Sequence, residues 1–518
     1  MSGYPLLSLM TLLPILGGLI VLGLDRDQKQ FARRLAFVVS LGVLGMVLLL
    51  WHRFDPASGG LQFPEVREWI PTLGVQYHLG VDGLGLLMVL LTALVVPMSM
   101  LASWKIEERV PLYFGLVLLL EAGLLGTFTA LNFFHWFLFW ELSLIPAFFL
   151  IKLWGGPQRS AAATQFFVYT MVGSVGLLLA FLAIFLSTGR FDFIQLAELG
   201  RNGVLSSALA TKLGWYDLTA KQVALVIFAG AFLGFAVKVP LIPFHTWLPF
   251  VYGEAPTGTS MLLTGVMSKM GVYGFLRILL PIFPQEMRWV LTPLLWLAVI
   301  TIVCSAAAAF AQQDLKRMLA YSSINHLGYC LLGTLAVLRS SSGLVSPLAE
   351  KAAALDGVML QMFNHGLTAA TLFWFVGMIE ERSGGLRGLN DFGGLRRVAP
   401  VFCGLMGISL FSSLGLPGLN GFIGEFLIFK GAFPLATWAT SLSTLGLLLT
   451  AVFILTLLQR VFNGPLNDKW AAFPDLTFGE RLCVLPATGL LLFLGVYPQA
   501  ILGVINPTAV QMVQYLKF

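Results

Sequence analysis

Charge is scarce in this sequence. Acidic and basic side chains make up 11% of 518 residues, about half of what a soluble chain carries. That composition excludes an ordinary water-soluble enzyme. Cysteine is scarce too: Cys304, Cys330, Cys403 and Cys483 stand singly, with no CxxC pair and no metal-ligand spacing. They are expected to be plain core residues. No GxGxxG follows a strand and no GxxxxGK occurs, so the chain has no visible means of holding a nucleotide, flavin or iron–sulfur cluster. The formal net charge of +6 does not point to nucleic acid, because the basic residues are dispersed between apolar runs. The first run, "YPLLSLMTLLPILGGLIVLGL", lacks a basic flank and a cleavage site, so it reads as a retained first helix rather than a signal peptide.

What is abundant is apolar surface, at 58% of residues. Apolar runs of about 18 residues or more recur from end to end, the mark of an all-α polytopic membrane protein. About fourteen spans are expected, starting near residues 4, 31, 80, 111, 133, 165, 222, 257, 288, 318, 353, 399, 436 and 480. Connections are short except at 52–79, 188–221 and 338–352, which leaves no room for a soluble domain. Alternate loops beginning with 25–34 hold 17 Lys and Arg residues against 12 on the opposite side. This bias places both termini outside and the loop with Arg382, Arg387, Arg396 and Arg397 on the cytoplasmic or equivalent side.

Nine ionisable residues fall within the spans: Glu121, His135, Glu141, Lys238, His245, Lys269, His326, His365 and Glu425. Each costs about 2.5 kcal/mol or more at mid-bilayer. One alone reads as a snorkelling or packing group, and His135 fits that description. Nine together mark a proton or ion route. Glu141 and His326 are 185 residues apart, and Lys238 and Glu425 are 187 apart. Both second members lie five spans after the first, the pattern of two five-helix repeats inverted in the membrane. The chain then divides into a three-helix segment (1–110), a first repeat with Glu141, Lys238 and Lys269 (111–285), a second with His326, His365 and Glu425 (286–465), and a last span (466–518).

Prolines mark where those repeats open. In "KVPLIPFHTWLP" they remove backbone donors and clash with preceding carbonyls, so the helix is expected to break just after Lys238. A break at membrane depth is tolerated only when buried in protein or lining a hydrated cavity. The region "SSLGLPGLNGFIGEF" repeats the device before Glu425. Freed carbonyls beside Lys238 are expected to stabilise its ammonium while the apolar surround opposes it, a balance at which a lysine loads and releases a proton.

Six segments, in order, resemble the antiporter-like subunits of respiratory complex I. They are "FWELSLIPAFFLIKLWGG", "KVPLIPFHTWLP", "GEAPTGTSMLLTGVMSKMGVYGFLR", "DLKRMLAYSSINHLGY", "NHGLTAATLFWFVGMIEER" and "LPGLNGFIGEF". The resemblance covers about 80–465 and is greatest to the chain 4 type. Glutamate stands at the second break, where chains 2 and 5 typically have lysine, and no long lateral helix follows. It implies proton translocation, with Glu141 and Lys238 as the charge pair of the first half-channel and Lys269 as the central relay. His326 and His365 continue the path and Glu425 lies on the exit side. Glu121 falls on a familiar acidic position, and His245 sits in the first break. The resemblance further implies no cofactor in this chain. Quinone, flavin and iron–sulfur clusters belong to partner subunits, and chain 2- and chain 5-type subunits and membrane lipids are the neighbours. The location is an energy-conserving membrane, either a bacterial inner membrane or a cyanobacterial thylakoid. The wording of the third segment leans towards cyanobacterial and plastid members, with plastoquinone and ferredoxin. Where the family reads W-L-P-D-A-H this chain has "WLPFVY", so Phe250 and Tyr252 replace the acid and the imidazole of the inner mouth. Asn132 stands where an aspartate is common. Subunits of Mrp-type cation/proton antiporters and of membrane-bound hydrogenases share the motifs, and a non-conducting structural subunit is a reading of another class.

Overall fold

The computed structural model describes residues 5–215, 217–340 and 347–516. Among them, eleven helices are long and apolar enough to cross a membrane, from Lys29–Arg53 to Phe478–Val496. Leu6–Leu22 and Pro400–Leu414 are apolar but shorter. The 22-residue Leu315–Ala336 helix, which carries His326, is buried over nearly its whole length. Part of the 338–352 connection lies outside the described residues, and the span expected near 353 already begins at Pro347. That helix, Pro347–Arg382, runs for 36 residues.

The chain is not helical throughout. Within the 52–79 connection, Gln62–Ile70 and Val75–Val81 pair as an antiparallel hairpin, with Arg67 opposite Tyr77 and Glu65 opposite Leu79. Gly74 turns it at φ +61°, a conformation that favours glycine. The hairpin is tied down at both ends. Glu65 Oε1 accepts the Leu7 amide at 2.8 Å, placing a carboxylate on the N-terminus of the Leu6–Leu22 helix. The Leu131 amide donates to the His78 carbonyl at 2.9 Å. The 188–221 connection also folds, into Phe193–Arg201 and Val204–Leu213. Asp192 caps the first of these through the amides of Ile194 and Gln195.

Pro347–Arg382 is the axis of the second half, buried along its apolar length. Lipid tails are as apolar as leucine, so helices here associate by close fit rather than by hydrophobic drive. Small residues supply that fit. A side chain at Gly424 would meet the Gln361 backbone at 3.0 Å, and one at Gly357 would collide with the Ile428 amide. The Asn420–Leu435 helix therefore lies directly on the axis and brings Glu425 with it.

Candidate functional site

Both expected breaks are present. The Ala220–Lys238 helix ends at Lys238, and the chain resumes as a helix at Trp247–Glu254. Pro400–Leu414 is capped by Gly415 in the left-handed region, and Asn420–Leu435 follows. The two breaks are not copies, because Lys238 is the last helical residue before its gap and Glu425 lies in the second turn after its own. Each break has its own polar wrapping, as burial demands. At the first, the Trp247 indole donates to the Val237 carbonyl at 3.1 Å, and the Ile242 amide donates to Thr301 Oγ1 at 3.2 Å. At the second, Asn364 Nδ2 donates to the Asn420 carbonyl at 2.6 Å, while Ser412 bonds the Asn420 side chain and, at 3.1 Å, Thr368.

The expectation that freed carbonyls hold the Lys238 ammonium is not met. The Val237 carbonyl takes Trp247 instead, and Lys238 Nζ lies 4.8 Å from the centre of the Trp140 ring. A cation over an indole face is attracted by its quadrupole. Glu141, next to that tryptophan, acts on the ammonium by Coulomb attraction. It does not close on it: no ion pair joins the two among the described residues. Glu141 is only half-buried.

Lys269 is fully buried. Its helix widens on either side, with π-turns at Leu263–Met267 and Phe275–Leu279. Such bulges gather at functional sites because they re-aim backbone groups. Here the Thr264 carbonyl accepts from Lys269 Nζ, Ser268 Oγ lies at 3.3 Å, and His365 Nδ1 at 2.8 Å. The His365 ring is 4.9 Å from the His326 ring and tilted by 38° to it. His326 Nδ1 lies 2.9 Å from Glu425 Oε1, and its other nitrogen lies 3.4 Å from Ser413 Oγ. Gln361 Nε2 donates to Glu425 Oε1 at 3.3 Å. Lys269, His365, His326 and Glu425 thus form one file of touching side chains, all buried.

The remaining candidates stand outside that file. Glu121 is fully buried, and neither carboxyl oxygen has a hydrogen-bond partner. His245 faces Tyr321 across 6.2 Å in the first break. His135 packs on Tyr77 with ring centroids 4.6 Å apart, as a packing residue does. Asn132 accepts the Phe134 amide at 3.1 Å and so caps the Glu141 helix. Tyr252 is buried against Phe373, and its hydroxyl lies beside those of Ser268 and Thr264. The residue in place of the family's imidazole therefore reaches the groups that hold Lys269.

Sequence reasoning missed several charges. Lys316 Nζ pairs with Glu380 Oε2 at 2.6 Å, and Arg387 joins Asp314 and Glu380 at 3.1 and 3.4 Å. Lys316, Glu380 and Arg387 line a cavity of about 550 Å³ that also reaches Glu254. At the opposite end, Arg277 pairs with Asp82, and His78 with Asp192 at 2.6 Å. Lys316 and Glu380 could have been noticed in "DLKRML" and "GMIEER", since both sit where spans meet loops on the basic side. Among the described residues, no group of three or more His, Cys, Asp or Glu side chains is arranged to hold a metal.

Residues 130–450 match the family described as NADH:quinone oxidoreductase/Mrp antiporter, transmembrane. The NADH-quinone oxidoreductase subunit M of Rhodobacter capsulatus is 37% identical over 514 residues, covering 98% of this chain and 96% of that protein. The chain belongs to this family. A second member, the NAD(P)H-quinone oxidoreductase chain 4 1 of Synechococcus elongatus, is also 37% identical, covering 96% of this chain and 89% of its own length. Among solved structures, respiratory complex I from Thermus thermophilus contains a chain of the same fold. It has a TM-score of 0.83 and 29% identity, with 99% of this chain and 100% of that one aligned. Membership makes the chain an integral protein of an energy-conserving membrane.

Proposed function

We propose that protons cross this antiporter-like subunit by way of Lys269, His365, His326 and Glu425, with Glu141 and Lys238 as the first half of the path. The observation that carries the reading is the file itself. A buried lysine, two imidazoles and a carboxyl group touch in sequence, with 2.8 Å at one end and 2.9 Å at the other. The Lys269 ammonium can give its proton to His365 Nδ1, and an imidazolium at His326 can give one to Glu425. The step between the two rings is the one that lacks a direct hydrogen bond. Glu121 and His245 are secondary members, beside the path rather than in it.

The chain is a proton-translocating membrane-arm subunit of an NAD(P)H- or ferredoxin-quinone oxidoreductase, and no redox chemistry is assigned to it. In our reading, fourteen spans and two inverted repeats (111–285 and 286–465) frame the path, with the cavity lined by Lys316, Glu380 and Arg387 on the cytoplasmic side. Quinone, flavin and iron–sulfur clusters reside in partner subunits, chain 2- and chain 5-type subunits flank it, and redox-driven conformational change there drives the protons. The membrane is bacterial inner membrane or thylakoid. Members from both kinds of organism share the same identity with this chain, which supports neither quinone over the other. The Mrp antiporter reading rests on the family's shared description. Chains that copurify distinguish them: a peripheral arm with iron–sulfur clusters supports the oxidoreductase, and small antiporter partners alone support the other.

Glu425→Gln tests the path. Glutamine keeps the size and the hydrogen bond to Gln361 but cannot carry a proton. Vesicles holding the assembled complex should reduce quinone with a sharply smaller pH gradient than wild type at equal complex content. A normal gradient would leave Glu425 as a cap of the broken helix and end the proposal.

A further inference from the structure

The file stops at Glu425, yet one more buried carboxyl group lies beyond it. Asp356 sits on the Pro347–Arg382 axis and is 6% exposed. Its Oδ2 accepts from Asn506 Nδ2 at 2.6 Å, on the Gln499–Tyr515 helix, and its Oδ1 has no hydrogen-bond partner. No cation pairs with it among the described residues. The nearby Glu350 is already engaged with Lys430 at 3.1 Å. A buried carboxyl group with neither a cation nor a full set of hydrogen bonds is expensive, and in a membrane protein it marks a functional position.

Its place is informative. Gly357, the next residue, rests on Gly424 and Ile428, so Asp356 lies about one turn outward of Glu425. Asp356 lines a cavity of about 700 Å³ together with Leu427, Gln499 and Asn506. Leu427 is two residues from Glu425 on the same helix, facing the other way from it. Asn506 is exposed, and its neighbour Pro507 meets Gly59 of the 52–79 connection, on the side opposite the basic loops. Gln361, level with Glu425, is bonded to it and has its own Oε1 unpartnered. The rise of about one helical turn, roughly 5.4 Å, from Glu425 to Asp356 is within reach of a short hydrogen-bonded water chain.

We propose that Asp356 is the release acid of the outer side, taking the proton from Glu425 and giving it up to this cavity. The Glu425 acid becomes a carboxylate as the Asp356 carboxylate becomes an acid, and Asp356 then loses the same proton to water. This inference rests on the proton path proposed above.

The competing role is mechanical: Asp356 anchors the terminal helix through Asn506. Four variants of the assembled complex, reconstituted in vesicles at equal content, separate the two. Asp356→Asn keeps an amide for Asn506 but carries no proton, and should lower the rate of proton release about tenfold. Asp356→Glu should restore it. Thr508→Val removes a different anchor of the same helix, the bonds to Gly59 and Gly83 at 3.0 Å, and should pump normally. Glu425→Gln is the reference. Normal release in Asp356→Asn beside loss in Glu425→Gln would overturn this inference alone. Normal release in both would overturn the path itself. An equal loss in Thr508→Val would assign the effect to anchoring, and the release role would fall.

Discussion

The two halves of the molecule use the same two kinds of group in opposite order and at different distances. In the first, Glu141 precedes Lys238, and the lysine rests on Trp140 without closing an ion pair. In the second, His326 precedes Glu425, and the two are 2.9 Å apart. The base and the acid have changed places, and the gap has closed. An aromatic face holds a cation weakly and without direction. A charge-assisted hydrogen bond holds it strongly and along one line. The first half is thus a pair held apart, able to respond when its surroundings move. The second is a pair already in contact.

The largest effect is expected at the junction of the two halves. Lys269→Met removes the ammonium group that His365 Nδ1 touches, and proton translocation should fall about a hundredfold. Vesicle acidification at equal quinone reduction measures it. If the loss is small, the halves do not meet at Lys269.

Next comes Lys238→Arg. Arginine keeps the charge over Trp140 but stays protonated in proteins. Translocation should fall about tenfold, as expected when a positioned proton-transfer group is lost. Wild-type pumping in this variant would reduce Lys238 to a structural cation and remove the first half from the path.

A smaller effect is expected from Tyr252→Phe. The ring and its packing on Phe373 remain, and only the hydroxyl beside Ser268 and Thr264 is lost. A loss of roughly 1 kcal/mol, about fivefold in rate, corresponds to one hydrogen bond removed next to Lys269. No change would show that protons reach Lys269 without this hydroxyl.

The breaks were legible because proline and glycine act locally. "KVPLIP" and "GLPGLNG" forbid a continuous helix whatever surrounds them, and the structure opens at both. Membrane placement was legible for a similar reason, since hydropathy is additive along the chain. The closing of the file was not. His365 lies 96 residues beyond Lys269, and only helix packing decides that Nδ1 faces Nζ. Asp356 escaped notice because one acid in "AAALDGVML" looks like a span end, and the helix starts six residues before the expected position. The hairpin was overlooked although part of its signal is local: Val75, Tyr77, Leu79 and Val81 alternate with period two directly after Gly74. The expected carbonyl support for Lys238 failed because Trp247, from the far side of the break, reached the carbonyl first.

The difference between the halves is tested most directly by two double-mutant cycles in proton translocation. One combines His326→Gln with Glu425→Gln, and the other Glu141→Gln with Lys238→Met. Groups in contact should be coupled by about 1–3 kcal/mol, so the first double variant should be hardly worse than its worse single variant. The second pair should come closer to the product of its single effects, with coupling of about 0.5 kcal/mol. Simple multiplication in the His326–Glu425 cycle would contradict the account, because it would mean that the touching pair does not conduct as one.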